Sequence, residues 1–209
     1  MKICVSGTAC VGKTTYIQDF LKTWPMYETP KESYRDVIKE KSLPHSSEGN
    51  EESQRIILDH LIDQAQKYSK GDNVIFDRCV LDNLAYSSWL NLNGKVSDKF
   101  LDESRIIVRE TLSMFDIIFY IPLTKAAPVE IVEDGLRNTD PTFREEIDNI
   151  FKVFQQSFFQ GDGRIFKKGD SAPIIDIYGN QEERIALTSL YITKEGKEYG
   201  EEETLIKPA

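Results

Sequence analysis

Gly7-Thr8-Ala9-Cys10-Val11-Gly12-Lys13-Thr14 is the stretch that decides how this chain folds. It satisfies the pattern G-x-x-x-x-G-K-[ST] at every position. In a chain of 209 residues, average residue frequencies produce such a match by chance on the order of 1 % of the time. Its flanks fit as well. Ile3 to Ser6 is a short apolar run ended by Gly7, which reads as a buried strand. Lys13 to Trp24 then places Tyr16, Ile17, Phe20, Leu21 and Trp24 on one helical face before Pro25 stops the helix. Between a strand and a helix, the glycines let successive N–H groups converge on phosphate oxygens, and the dipole of the helix beginning near Gly12 points at the same anion.

This phosphate loop (P-loop) assigns a nucleotide site. Gly7, Ala9, Cys10, Val11, Gly12, Lys13, Thr14 and Thr15 are expected to hold ATP. Lys13 spans the β- and γ-phosphates, the Thr14 hydroxyl binds Mg²⁺, and Thr15 adds a hydrogen bond to the α-phosphate.

Further along, Met26 to Thr29 reads as a short second strand, and Pro30 opens a charged helix from Lys31 to Lys41. The polar stretch Ser42 to Glu52 reads as a surface loop, and Ser53 to Tyr68 resumes helical periodicity. Asn73 to Asp77 is the clearest interior strand, followed by helices over Leu81 to Leu92 and about Asp102 to Met114. Asp116 to Pro122 is another strand. A polar segment from Lys125 to Pro141 precedes a helix carrying Ile147, Ile150, Phe151, Phe154 and Phe158. Pro173 to Tyr178 and Gln181 to Leu190 complete the alternation as strand and helix. Strands alternating with helices predict an α/β fold: a parallel five-stranded sheet flanked by helices, with a small lid. One domain is expected over residues 1–193, its lid at about 125–145, with a flexible acidic tail over 194–209.

Composition narrows the function classes. The net charge is −9 and the pI about 4.9, so the surface as a whole repels polyanions and a coat for long nucleic acid is disfavoured. Cys4, Cys10 and Cys79 form no CxxC pair, which argues against a disulfide framework or a zinc site. No apolar stretch approaches the length of a membrane span, so no membrane partner is expected and a reducing cytoplasm is the natural setting. A guanine-reading N-K-x-D is missing, and the D-x-x-G at Asp176 to Gly179 falls on the last strand, too late for a switch. Motor ATPases end an apolar strand in Asp-Glu, whereas Phe76-Asp77-Arg78 ends in Asp-Arg.

The phosphate loop, Tyr27-Glu28-Thr29-Pro30, the run Asp77-Arg78-Cys79-Val80-Leu81-Asp82-Asn83-Leu84-Ala85-Tyr86, and Asp134-Gly135-Leu136-Arg137 ahead of a helix near Arg144 together resemble the nucleoside and nucleotide kinases of the P-loop class. The nicotinamide riboside kinase-like branch, with its phage and bacterial relatives, is the most similar. The resemblance spans about residues 1–180 and implies an ATP-dependent kinase acting on a hydroxyl of a nucleoside-like small molecule. It leaves open a nucleoside monophosphate acceptor, a hydroxymethylated pyrimidine in DNA, and a nucleotide-gated regulator that transfers nothing.

The resemblance also assigns roles. Glu28 is expected to take the acceptor's proton, the alternative being an exposed turn carboxylate. Asp77 is expected to hold Mg²⁺ through water or to assist the acceptor, and Arg78 to pin the acceptor. Asp82 orients Arg78 or caps the next helix. Arg137 and Arg144, in the lid, are expected to close over ATP. Arg35 and Gln54 are candidates for sugar or base contacts, the alternative being solvated helix positions. Tyr34, Tyr86 and Trp89 stack on a ring or pack in the core.

Overall fold

In the computed structural model, which describes residues 1–124, 138–167 and 169–199, the short apolar runs become parallel strands. They are β1 (Lys2–Ser6), β2 (Val74–Asp77), β3 (Ile117–Tyr120) and β4 (Ile174–Asp176), ordered β2-β1-β3-β4. Cys4 lies level with Phe76 on one side and Ile118 on the other. The helices are α1 (Lys13–Thr23), α2 (Tyr34–Glu40), α3 (Glu51–Lys67), α4 (Val80–Leu92), α5 (Asp98–Leu112), α6 (Pro141–Gln160) and α7 (Gln181–Thr188).

Strand side chains alternate in direction, so the sheet has two apolar faces and needs a cover on each. Ile3, Val5, Ile75, Ile117 and Phe119 pack with Tyr16, Phe20 and Trp24 of the α1 side. Cys4, Val74, Phe76, Ile118 and Tyr120 face the opposite way, toward apolar residues of α3 to α6 such as Leu58, Leu84, Val108 and Phe151. Because all four described strands run parallel, Ser6, Asp77, Tyr120 and Asp176 end at one edge. In open α/β sheets, ligands bind along that edge.

The expected fifth strand is a correction. Met26 to Thr29 contributes a single bridge, Glu28 beside Val74 on the outer edge of β2. Glu28 N–H donates to the Asn73 carbonyl at 3.0 Å, and Ile75 N–H donates to the Glu28 carbonyl at 2.9 Å. Pro25 and Pro30 bracket this segment; proline cannot donate to a ladder, so pairing stops after one residue.

Helix ends follow their caps. Ser33 and Asp36 form a reciprocal capping box, starting α2 at Tyr34 rather than Lys31. Ser97 accepts from Phe100 N–H at 3.2 Å, starting α5 at Asp98 rather than Asp102. The stretch from Lys194 on, expected to be loosely held, turns back as far as it is described, with Ile192 bridging Glu198. Trp24 Nε1 donates to the Thr193 carbonyl at 2.8 Å and Tyr27 OH to the Gly196 carbonyl at 2.7 Å. Buried Trp and Tyr need partners for their polar tips, and this turn supplies them. No described helix is long and apolar enough to cross a membrane.

Candidate active site

The phosphate loop leaves β1 through Gly7, whose φ is +140°; a Cβ there would sit 2.5 Å from the Ile121 carbonyl oxygen, so only glycine fits. The loop enters α1 through Gly12 at φ +86°. Lys13 folds back inside, its Nζ donating to the Gly7 and Thr8 carbonyls at 2.7 and 2.6 Å. Burial first, then the Arg78 guanidinium, push its ammonium down to about 7, while Asp82 and Asp77 pull the other way. Thr14 Oγ1 lies 3.3 Å from Asp77 Oδ2. These two oxygens suit a small hard cation such as Mg²⁺, bound directly or through water, and Asp77 Oδ1 is buried with no partner among the described residues.

Beyond Asp77 the chain turns sharply. Arg78 occupies φ +83°, a left-handed conformation that costs a non-glycine residue about 1–3 kcal/mol. The turn drives its guanidinium between two rings, 5.1 Å from the centroids of both Tyr34 and Tyr86. Arg78 donates to Asp82 Oδ1 at 3.0 Å and to Tyr86 OH at 3.3 Å, and its buried Nε is left without a partner among the described residues. Asp82 also accepts from Ser6 Oγ at 2.7 Å, Cys79 N–H at 3.1 Å and Gly7 N–H at 3.3 Å. Both of its expected roles are thus filled: it caps α4 and orients Arg78. Oδ1 is thus shared by Arg78 and Gly7 and Oδ2 by Ser6 and Cys79, so neither oxygen is left free for a further donor.

A cleft of about 190 Å³ runs from the phosphate loop, at Ala9, Cys10 and Gly12 to Thr15, to a wall formed by Tyr34, Arg35, Gln54, Arg78, Asp82, Asn83 and Tyr86. Asp77 lies just behind this lining, reached through Thr14 and through Arg35, whose guanidinium is 3.9 Å from Asp77 Oδ2.

Residues 2–158 match the model of a family described as an AAA domain, three quarters of the chain. The chain belongs to that family. Among curated proteins none matches this AAA-domain chain significantly. Its fold recurs in solved kinases. The NadR protein in complex with NR has a TM-score of 0.62 at 15 % identity, over 91 % of this chain and 50 % of its own. Deoxyadenosine kinase from M. mycoides with bound dATP has 0.61 at 18 % identity, over 91 % and 98 %. Thymidylate kinase from Candida albicans has 0.58 at 16 % identity, over 91 % and 88 %. This AAA-domain chain therefore spans about half the length of NadR and nearly all of the deoxyadenosine kinase. These neighbours share the fold of this AAA-domain chain.

Within this AAA domain, the structure brings together the phosphate-loop residues, Asp77, Arg78, Arg35, Gln54 and Arg144. Arg35 and Gln54 line the cleft instead of facing bulk water. Gln54 is held by Asn83 Nδ2, which donates to its Oε1 at 2.9 Å and its carbonyl at 3.0 Å. Arg144 belongs to α6 and holds the loop itself, donating to the Ala9 and Cys10 carbonyls at 3.0 and 3.2 Å. Tyr34 and Tyr86 line the cleft, while Trp89 packs edge-on against Phe143 at 4.7 Å and donates to Glu146. Glu28 is not brought to the site. It is exposed and pairs with Val74, three residues before Asp77, so it sits about 10 Å down the strand toward the opposite edge. Arg137 lies outside the described residues, as does the lid over 125–137.

Sequence reasoning missed Asn83, Arg184 and Asn138. Asn83 follows Asp82 in the quoted motif and stands one helical turn before Ser87, whose hydroxyl also reaches Gln54. Two small polar residues four apart among the mostly apolar buried positions of α4 are a signal that a closer reading of its periodicity finds. Asn138, whose Nδ2 donates to Ser47 Oγ at 3.1 Å, and Arg184 carry no local signal, because the chain brings them in from far away.

Proposed function

We propose that this chain is an ATP-dependent kinase that transfers the γ-phosphate to a hydroxyl of a nucleoside-like small molecule. One observation carries the reading. A single cleft joins a complete phosphate loop to a pocket of aromatic and amide side chains, and at their seam Asp77 and Arg78 each keep a buried polar atom without a partner among the described residues. Buried polar atoms are normally satisfied, so a pair of orphans beside a phosphate cradle favours a ligand there. The names of the neighbours support the acceptor class, since a complex with NR, a deoxyadenosine kinase and a thymidylate kinase share this fold.

In this reading the loop amides and Lys13 hold the triphosphate, and Lys13 regains full charge against it. Thr14 and Asp77 would hold Mg²⁺, which would supply charge neutralisation at the phosphate oxygens. Asp77 also takes the acceptor's proton. Glu28 is too far away, and Asp82 lines the cleft with its lone pairs already used. Thr14 and Arg35 both face Asp77 Oδ2, which leaves Oδ1 for the hydroxyl. Arg78, fixed between Tyr34 and Tyr86, presents positive charge where the phosphoryl group passes. Gln54, held by Asn83, offers its amide to the acceptor's ring.

The test is a panel of nucleosides, nicotinamide riboside and nucleoside monophosphates with ATP and Mg²⁺, read by mass of the phosphorylated product. A single acceptor raising ADP release well above basal hydrolysis is expected. Slow hydrolysis indifferent to every acceptor would sink the kinase reading and leave a nucleotide-gated regulator.

A further inference from the structure

A trans peptide carries its N–H and C=O in opposite directions. A loop that turns successive amides toward phosphate must therefore turn the matching carbonyls away from it, and those carbonyls need donors of their own. Here the carbonyls of Ala9, Cys10 and Val11 are each met by a guanidinium. Arg144 takes Ala9 and Cys10. Arg184, from α7, donates through one terminal nitrogen to Val11 O at 2.8 Å and through Nε to Gly179 O at 2.9 Å. The peptide units held this way carry the amides of Cys10, Val11 and Gly12, and these find no acceptor among the described residues.

Arg184 is an expensive way to hold a carbonyl. It is only 5 % exposed, and among the described residues its partners are carbonyls, with no carboxylate beside it. Burial lowers its pKa from the ordinary arginine value, with only Tyr16 pulling the other way. A buried cation without a counter-ion is costly unless a charge arrives to meet its field. A neutral side chain would fill the space behind α1 at lower cost if packing were the only demand. The rest of α7 is tied to α1 independently, through Tyr16 OH and Thr188 Oγ1 at 2.7 Å.

We infer that Arg184 is a positioning residue for the nucleotide: by holding the Val11 carbonyl outward and linking it to the turn at Gly179, it fixes the Gly12 amide toward the phosphates before ATP arrives. This deepens the proposed nucleotide site and rests on it. The fork geometry of arginine serves two carbonyls from one rigid plane, which a lysine cannot do.

Calorimetric titration of ATP into the wild type, Arg184→Met, Arg184→Lys and Tyr16→Phe, with melting temperatures for each, tests the assignment. Arg184→Met is expected to lose about tenfold in ATP affinity, the scale of one charge-assisted hydrogen bond. Arg184→Lys falls between it and the wild type. Tyr16→Phe lowers the melting temperature with ATP affinity unchanged, since it loosens α7 without touching the loop. Wild-type affinity in Arg184→Met overturns the inference, as does an affinity loss in Tyr16→Phe that matches Arg184→Met at equal destabilisation. If Arg184→Met does not fold, Arg184→Lys decides, and wild-type affinity there overturns it. A wild type that binds no ATP brings down the nucleotide site itself, and this assignment with it.

Discussion

The two halves of the cleft are built by different means. The phosphate half is backbone: in the contiguous loop from Gly7 to Thr14 the amides of Cys10, Val11 and Gly12 find no acceptor among the described residues, and the loop's carbonyls are tied off by Lys13, Arg144 and Arg184. The proposed acceptor half is side chains from separate elements, with Tyr34 and Arg35 on α2, Gln54 on α3, and Asn83 and Tyr86 on α4. Phosphate is the same in every nucleotide, so a fixed backbone cradle suffices for it. An acceptor is recognised by its particular edge and ring, and only side chains can be varied to fit one. The comparison predicts that damage in the first half hits every substrate combination, while damage in the second is felt only by the acceptor.

The largest break is expected at Lys13. Lys13→Ala removes the cation that meets the β- and γ-phosphates, and turnover should fall by about 10³-fold or more whatever acceptor is supplied. Residual turnover within about tenfold of wild type would mean that the cradle does not depend on its lysine.

Next comes the seam. Asp77→Asn keeps the shape of the carboxylate but not its charge, and should cost about 10²–10³-fold in kcat. Affinity for ATP measured without Mg²⁺ should stay near wild type. Glu28→Gln, bridged beside the far end of that strand, should leave kcat within about twofold. If the two variants behaved the other way round, the acceptor would have to reach the exposed edge beside Val74, and the division of the cleft drawn here would be wrong.

The same division explains what could be read from the sequence. The phosphate half was legible because eight adjacent residues encode it, with strand and helix signals on either side. β1, β2 and β3 were legible as short apolar runs between turns. The fifth strand was not, because pairing at an edge depends on what β2 offers and on the prolines that bracket Glu28, and strand propensity over Met26 to Thr29 records neither. The same error put Glu28 at the acceptor: a residue assigned to the end of a strand lands elsewhere when the strand is one residue long. Arg184 was illegible for another reason. It meets Val11 across 173 positions of chain, and nothing around Arg184 in sequence marks it.

In the acceptor half, Gln54→Ala should raise the KM for the acceptor about tenfold and leave the KM for ATP unchanged, as expected for one buried hydrogen bond to a ligand. Arg35→Ala should do the same, with a further effect on kcat if the guanidinium must leave Asp77 before the hydroxyl can approach. A rise in the KM for ATP of similar size in either variant would show that the two halves are not separable.

The smallest effect distinguishes the halves by pH. In the nucleotide-free site, burial and Arg78 hold Lys13 at about 7. Bound phosphates favour the ammonium, so Lys13 titrates at higher pH in the complex. Between those two values Lys13 is less protonated in the free protein than in the complex, and ATP binding must take up a proton. The sign follows: affinity is greatest below about 7 and falls as pH rises, because the charged lysine has to be regenerated before it can meet the phosphates. With a free-site value of about 7, the fall between about pH 7 and 8 is about fivefold, provided the complex titrates well above that window. Calorimetry in two buffers of different ionisation enthalpy measures the proton directly, and the uptake should vanish in Lys13→Met. Acceptor binding should show no matching dependence on Lys13, since its ring meets Tyr34, Gln54 and Tyr86. An ATP affinity flat from about pH 6.5 to 8.5 would mean that Lys13 is charged in the empty loop, held by the Gly7 and Thr8 carbonyls strongly enough to offset its burial.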